Sequence, residues 1–271
     1  EMNPSLVGSE MCIRDRIAFE GNIEELTLTT NSQPAIMAHS VAILESIKDQ
    51  NLVNLDNVSA VAGHSLGEYS ALVATKSISF KSATQLLEVR SKAMQDSMPI
   101  GTGGMAAIIG KSMKEVEEII QLVKDYGKIF IANDNADGQV VVSGEIGAID
   151  NLCENYKSLG IKRALKLPVS APFHCKLINS ASLKLSEEIE NHIFEKFNFD
   201  FYSNVTSLKC SNEDIRNLLI KQVVSKVRWR EIIENMVNDG LTSFIEIGPG
   251  NILSNLVKRI SKTSNIISIS K

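Results

Sequence analysis

A five-residue stretch, Gly63-His-Ser-Leu-Gly67, constrains the fold of this chain more than any other part of its sequence. The short apolar run at 58–62 precedes it and is typical of a buried strand, whereas residues 66–74 have the pattern of a helix. A strand, a sharp turn and a helix in this order match the G-x-S-x-G turn of α/β enzymes, where glycines let the backbone hold a serine hydroxyl outward. We therefore predict an α/β fold with Ser65 as a nucleophile, rather than a glycine-rich turn with a capping serine.

The elements on either side of residues 102–167 predict a mainly parallel sheet. Strands alternate with helices there, which is typical of a parallel sheet flanked by helices, here a hydrolase-like core. One of these helices is predicted at 33–48, with Pro34 in its first turn. Residues 102–167 instead predict the β-α-β-β-α-β order of a ferredoxin-like unit. We predict a discontinuous α/β core domain at 17–101 and 168–271, into which this ferredoxin-like small domain is inserted.

A serine hydroxyl needs a base at neutral pH, and the chain offers four histidines. His64 is adjacent to Ser65, so its side chain should leave the turn in another direction. His39 lies on a predicted helix as a core or surface residue, and His192 lies at a charged helix end, where we expect it to be exposed. His174 lies in a proline-bracketed loop at the end of the predicted insert. We therefore select His174 as the base.

Composition and charge exclude several classes of protein. Hydrophobic residues make up 44% and charged residues 22% of the 271 residues, as in folded rather than disordered proteins. The formal net charge of −4 argues against nucleic acid as a partner. No apolar run reaches the roughly 18 residues of a membrane span and no secretory leader opens the chain, so we expect a cytoplasmic protein with no membrane partner. The four cysteines form no C-x-x-C pair, and we predict no metal site.

Ordered matches along the rest of the chain resemble one known family. The serine turn continues as Gly63-His-Ser-Leu-Gly-Glu-Tyr-Ser-Ala-Leu72. The other matching segments are 90–95 with 101–109, 132–136 with 138–144, 167–175, and 227–229 with 246–250. Together they resemble the bacterial malonyl-CoA:acyl carrier protein transacylases, an acyltransferase family, from about Phe19 to the C-terminus.

The resemblance implies a reaction and its partners. It implies transfer of a malonyl group from malonyl-CoA to the phosphopantetheine thiol of acyl carrier protein, in fatty acid biosynthesis. The acyl group would pass through a malonyl-serine intermediate, with no metal or organic cofactor. We expect the protein to act as a monomer.

The resemblance also implies roles for individual residues. Ser65 would carry the acyl group, His174 would take and return its proton, and the backbone carbonyl of Gln222 would orient that histidine. Leu66 would supply one N–H of the oxyanion hole. Arg90 would bind the malonyl carboxylate, since a planar guanidinium pairs with a carboxylate through two parallel hydrogen bonds.

Three further residues are expected near the substrate. Phe173 resembles the bulky residue that, in related polyketide acyltransferases, accompanies malonyl rather than methylmalonyl units. The junctions of the small domain lie close in sequence to the arginine and to the histidine. We therefore predict a substrate cleft between the small domain and the core domain, with Asn133 or Asn135 near its wall.

The N-terminal residues depart from the family pattern. Family members begin with a strand that ends in a G-Q-G-S-Q loop, whose glutamine supplies the second N–H of the oxyanion hole. Residues 1–16 have no strand period and no glycine pair, and we interpret them as a non-native-looking leader. On this interpretation one oxyanion donor is missing, a loss that typically costs about a hundred- to a thousand-fold in rate.

Two other functions stay open on the sequence. A serine hydrolase or thioesterase shares the G-x-S-x-G turn, but an α/β-hydrolase places an acid and then its histidine late in the chain, and no histidine follows His192. A catalytically impaired remnant that still binds carrier protein is the second alternative, because of the N-terminal departure.

Overall fold

A computed structural model describes residues 23–169 and 171–270 of the chain, with side chains from residue 25 onward. The leader interpreted at 1–16 lies outside the described residues. The helices are α1 Ile23–Thr27, α2 Thr29–Asp49, α3 Gly67–Ala74, α4 Phe80–Gln95, α5 Met113–Val123, α6 Ile146–Glu154, α7 Asn179–Ile189, α8 Ile215–Gln222, α9 Trp229–Asn238 and α10 Ile252–Ile260. The strands are β1 Ala60–Ala62, β2 Gly103–Ile109, β3 Ile129–Ala136, β4 Gln139–Glu145, β5 Arg163–Lys166, β6 Asp200–Tyr202, β7 Ser243–Ile247 and β8 Asn265–Ile269.

The parallel strands lie in two pairs. β1 pairs with β6 and β7 pairs with β8, both parallel, and no hydrogen-bonded ladder joins the two pairs among the described residues. Residues of both pairs, including Ala62 and Phe244, pack against one hydrophobic cluster that contains Trp229 and Leu256. The α/β class is confirmed. Where we predicted one mainly parallel sheet, the described part of the chain contains these two separate parallel pairs.

The segment from β2 to β5 forms an antiparallel sheet of four strands in the order β3-β4-β2-β5. Helices α5 and α6 contribute to its apolar cluster, with Val116 and Ile149 among the buried residues. Ser112 and Glu115 form a reciprocal capping box at the start of α5, which explains why the helix begins there. The order of elements is the one expected for 102–167, and the division of the chain into two domains stays a prediction.

The helix predicted at 33–48 begins earlier, since α2 starts at Thr29 and Pro34 lies inside it. A proline near a helix start removes a single backbone hydrogen bond, so the helix can continue through it. His192 also differs from expectation, because it is 7% exposed and its Nε2 lies 3.0 Å from Glu188 Oε1. Within the described ranges, none of the helices has the length and apolar character required to cross a membrane.

Candidate active site

Ser65 lies at the tight turn between β1 and α3. Its φ of 54° is a left-handed conformation, which costs a residue other than glycine about 1–2 kcal/mol. Gly63 makes the turn possible, because a Cβ there would lie 2.0 Å from the carbonyl carbon of Gly67. A Cβ on Gly67 would meet nothing within 4 Å. Among the described residues, packing therefore requires the first glycine of the pattern and not the second.

His174 meets Ser65 although 109 residues separate them in sequence. Ser65 Oγ lies 2.7 Å from His174 Nε2, and His174 Nδ1 lies 3.0 Å from the backbone oxygen of Gln222. Because a carbonyl oxygen can only accept, Nδ1 carries the ring proton and Nε2 is free to accept the proton of the serine hydroxyl. The structure thus brings together the three residues that the sequence assigned to the nucleophile, its base and the orienting carbonyl.

Burial of the imidazole, together with the positive charge of Arg90, lowers the pKa of His174 to about 3. A histidine with this pKa is neutral at pH 7, so its Nε2 keeps the lone pair that a base requires. The lone pair is therefore available to the hydroxyl of Ser65, while a pKa this far below 7 makes the imidazole a weaker base than a solvated histidine.

Arg90 is a buried cation beside the nucleophile, with only 1% of its surface exposed. Its Nη2 donates to Ser65 Oγ at 3.0 Å and to Gln222 Oε1 at 2.8 Å, and its Nη1 donates to Gln33 Oε1. Its Nε has no hydrogen-bond partner among the described residues, and Glu68 acts on the guanidinium electrostatically without forming a salt bridge with it. A buried guanidinium that forms no salt bridge is suited to binding an anionic ligand.

Leu66 follows the serine and precedes the first residue of α3. Its backbone N–H has no hydrogen-bond partner within residues 23–169 and 171–270. Backbone N–H groups at a helix start carry partial positive charge. This N–H is therefore available to an oxyanion that forms next to Ser65.

Phe173 is 8% exposed and lies beside the base in sequence. It lines a cavity of about 220 Å³ together with Thr27, Leu28, Thr29, Gln95, Leu167, Pro168 and Val169. The cavity lies at the junction that follows the four-stranded sheet, which is where we expect substrate to enter. Ser65, Arg90 and His174 do not line this cavity, and the role of Phe173 toward an acyl group stays a prediction.

The two asparagines of β3 are buried, and neither lines this cavity. Asn135 Oδ1 lies 2.8 Å from His64 Nε2, so Asn135 reaches the serine turn through that histidine. His64 also packs against the ring of Trp229, at 5.6 Å between ring centroids. His64 therefore contacts Asn135 and Trp229 rather than the hydroxyl of Ser65, and the place of Asn133 in a substrate cleft stays a prediction.

Three residues of the site were missed by sequence reasoning. Gln33 accepts from Arg90, Asn204 accepts from the backbone N–H of Ser65, and Glu68 accepts from the backbone N–H of Asn204. The glutamate follows the G-x-S-x-G pattern directly, where it would pass for an ordinary acidic residue in the first turn of a helix. Neither the glutamine nor the asparagine belongs to a local pattern that indicates chemistry. Among the described residues, no group of three or more His, Cys, Asp or Glu side chains could hold a metal ion.

Comparisons with known proteins agree over most of the chain. The sequence matches the family described as Acyl transferase domain over residues 12–269. It is 40% identical over 256 residues to the malonyl CoA-acyl carrier protein transacylase of Bacillus subtilis (strain 168), covering 94% of this chain and 80% of that protein. The solved acyl-carrier-protein-S-malonyltransferase of Bartonella henselae matches with a TM-score of 0.90 at 41% identity, over 95% of this chain and 82% of that one. A structure of a type II PKS acyl-carrier protein in complex with its malonyl-transacylase contains a chain that matches with a TM-score of 0.89 at 37% identity, over 95% of this chain and 83% of that one.

Proposed function

This chain belongs to the acyl transferase domain family, and from that premise we propose that it transfers a malonyl group from malonyl-CoA to the phosphopantetheine thiol of an acyl carrier protein. The observation that carries the proposal is the meeting of a serine, its base and a buried arginine that forms no salt bridge. Ser65 Oγ lies 2.7 Å from His174 Nε2 and 3.0 Å from Arg90 Nη2. These groups supply a nucleophile, a proton acceptor and a binding partner for a carboxylate.

In the first half-reaction, Ser65 Oγ attacks the thioester carbonyl carbon of malonyl-CoA while His174 Nε2 takes the hydroxyl proton. The carbonyl oxygen becomes an oxyanion, to which the N–H of Leu66 donates. When the C–S bond breaks, His174 returns the proton to the sulfur of coenzyme A. The malonyl group remains on Ser65 as an ester.

In the second half-reaction, the thiol of the acyl carrier protein attacks the carbonyl carbon of this ester. His174 takes the thiol proton and delivers it to Ser65 Oγ as the C–O bond breaks. The backbone carbonyl of Gln222 stabilises the imidazolium in both halves, because it accepts the proton that remains on Nδ1. The serine and the base end in their starting states.

Arg90 gives the proposed reaction its preference for a carboxylated acyl group. Malonyl and acetyl thioesters differ by one carboxylate, and that carboxylate would neutralise the buried guanidinium. The free Nε of Arg90 offers one donor directly, while Nη2 would exchange a protein partner for the ligand. Phe173, the neighbour of the base in sequence, would restrict branching next to the carbonyl.

Two alternatives differ in the fate of the acyl group. A serine hydrolase or thioesterase would share the first half-reaction and pass the acyl group to water. The family of the chain and its unpaired arginine favour transfer over hydrolysis. A catalytically impaired remnant that binds carrier protein would form no acyl-serine at all.

We assign the enzyme to fatty acid biosynthesis in the cytoplasm. The described cysteines Cys153, Cys175 and Cys210 are unpaired, as in proteins of a reducing compartment. A monomer stays our prediction for the oligomeric state, and light scattering during gel filtration measures it directly.

Intact mass measurement after incubation with malonyl-CoA tests the proposed function. We expect a gain of one malonyl unit, its absence from Ser65→Ala, and its transfer to holo acyl carrier protein added afterwards. Release of coenzyme A and malonate, with no loaded carrier protein, would instead identify a hydrolase. No adduct on a folded protein that still binds carrier protein would identify the remnant.

A further inference from the structure

Glu68 is a fully buried carboxyl group in the first turn of α3, three residues after the nucleophile. Arg90 acts on this carboxyl group electrostatically but forms no salt bridge with it, and burial raises the pKa of Glu68 to about 8 against the opposing effects of its hydrogen bonds and of Arg90. A buried carboxyl group is unfavourable unless its oxygens are hydrogen-bonded. Oε1 accepts from the backbone N–H of Asn204 at 2.6 Å, and Oε2 accepts from Gln222 Nε2 at 2.5 Å.

The contact to Asn204 leads to the backbone on both sides of the turn. Asn204 Oδ1 accepts from the N–H of Ser65 at 2.7 Å, and its Nδ2 donates to the carbonyl oxygen of Gly63 at 2.7 Å. Ser65 is held in a left-handed conformation, which persists only where the surroundings enforce it. By fixing the backbone of Asn204, Glu68 fixes the side chain that enforces this conformation.

The contact to Gln222 leads to the arginine. Gln222 Nε2 donates to both Glu68 Oε2 and the carbonyl oxygen of Ser65, the latter at 2.8 Å. With the amide nitrogen on this side, Gln222 Oε1 faces Arg90 and accepts from its Nη2 at 2.8 Å. The opposite orientation would place two donors against each other, because a guanidinium has no acceptor.

We propose that Glu68 is a positioning residue for acyl transfer, which aligns Ser65 through Asn204 and aligns Arg90 through Gln222. The inference rests on the proposed malonyl transfer. Glu68 touches neither the hydroxyl that reacts nor the guanidinium that binds. The two paths make different predictions, since the first affects every acyl donor and the second affects only donors with a carboxylate.

Glu68→Gln tests the second path. The variant keeps the size of the side chain but replaces one accepting oxygen by an NH2 group, which only donates. The remaining oxygen keeps the rigid backbone donor of Asn204, so the NH2 group displaces the movable side chain of Gln222. We expect the ratio of malonyl to acetyl transfer onto Ser65 to fall at least roughly tenfold in single-turnover acylation. Both donors are measured on one sample, so a reduced folded fraction cancels from the ratio.

Asn204→Ala tests the first path, from Glu68 through Asn204 to Ser65. The variant keeps the backbone N–H that donates to Glu68 and removes only the side-chain contacts to the serine turn. Acylation should slow for both donors, with an unchanged ratio. Glu118→Gln, an exposed position on α5, is the control and should behave like the unaltered protein. Glu68→Asp shortens the side chain by one methylene group and should also lower the ratio of malonyl to acetyl transfer. It serves as the test variant if Glu68→Gln does not fold.

A folded variant at Glu68 with the ratio of the unaltered protein would overturn the inference and leave the proposed function standing. An unaltered protein that forms no malonyl-serine would overturn the proposed function itself. The two failures are therefore distinguishable in one experiment.

Discussion

The four-stranded sheet and the serine turn bury side chains of opposite chemistry. The cluster under the sheet is apolar and includes Ala106, Ile108, Val140, Val142, Ile149 and Leu152, all at 0% exposure. The serine turn is surrounded by polar and charged side chains at 4% exposure or less, namely Glu68, Arg90, His174, Asn204 and Gln222. Both regions exclude water, but only one of them consists of groups that could react or bind charge.

The difference separates two physical roles of burial. Apolar burial stabilises a fold by about 25 cal/mol per Å² and has no preferred direction. Buried polar groups are stable only while each finds its partner, so they fix orientation at a cost in stability. Variants around the serine turn should therefore change activity more than stability, and variants under the sheet should do the reverse.

The largest expected effect is on the rate when the base is removed. His174→Ala should lower acylation by about a hundred- to ten-thousand-fold, because general base catalysis is lost. Its thermal unfolding midpoint should change less than that of a variant under the sheet, since the removed desolvation penalty of the imidazole offsets the hydrogen bond that the Gln222 carbonyl loses. Single-turnover rates with malonyl-CoA and a melting curve measure both. A large fall in stability with little loss of rate would contradict the contrast between the two regions.

Removal of an apolar side chain from the sheet should have the opposite result. Leu152→Ala should lower the free energy of unfolding by about 2–5 kcal/mol, since it leaves a cavity under the sheet. The acylation rate per folded molecule should not change. Chemical denaturation gives the stability, and active-site titration gives the folded fraction. If the rate per active molecule falls tenfold, the apolar cluster also shapes the site.

The two glycines of the turn provide a matched pair. Gly63→Ala should destabilise the protein by about 1–3 kcal/mol or more, because its Cβ overlaps the backbone at Gly67. The added Cβ of Gly67→Ala has open space. We expect the free energy of unfolding of this variant to stay unchanged or to rise by up to about 1 kcal/mol. Denaturation curves of the two variants measure the difference between their free energies of unfolding. Equal stabilities would mean that the turn can relax around the added methyl group.

Arg90 should control the choice of acyl group. Arg90→Ala should lower the ratio of malonyl to acetyl transfer at least roughly tenfold, as expected for loss of one partner of a buried charge pair. Arg90→Lys should recover part of the ratio, because an ammonium keeps the charge but not the planar pair of donors. Acyl-serine formation from both thioesters provides the measurement. An unchanged ratio in Arg90→Ala would show that the arginine has a structural role.

The smallest expected effect is that of pH. The pKa of His174 is lowered to about 3, so the base is neutral at every pH well above that value. We expect kcat/KM for acylation to show no histidine inflection between pH 5 and 8, and to decline only as the pH approaches the lowered pKa. A pH profile on the unaltered protein measures this. An inflection near the ordinary histidine value of about 6.5 would show that the imidazole is hydrated.

The sequence by itself determined the features that adjacent residues encode. The glycine and serine pattern after an apolar run predicts the turn, because turn chemistry and strand periodicity are local. The order of elements between β2 and β5 follows from the same kind of signal. The histidine was selected by elimination, and the roles of Arg90 and Gln222 came from a family resemblance.

Only the tertiary structure decided which side chains are buried together. Glu68 lies 154 residues from Gln222 and Asn204 lies 139 residues from Ser65, so no local pattern could show that they meet. The burial of His192 and the open space at Gly67 were likewise invisible in the sequence. Hydrogen-bond partners and desolvation are properties of the packed chain, because water satisfies the same groups until distant segments close over them.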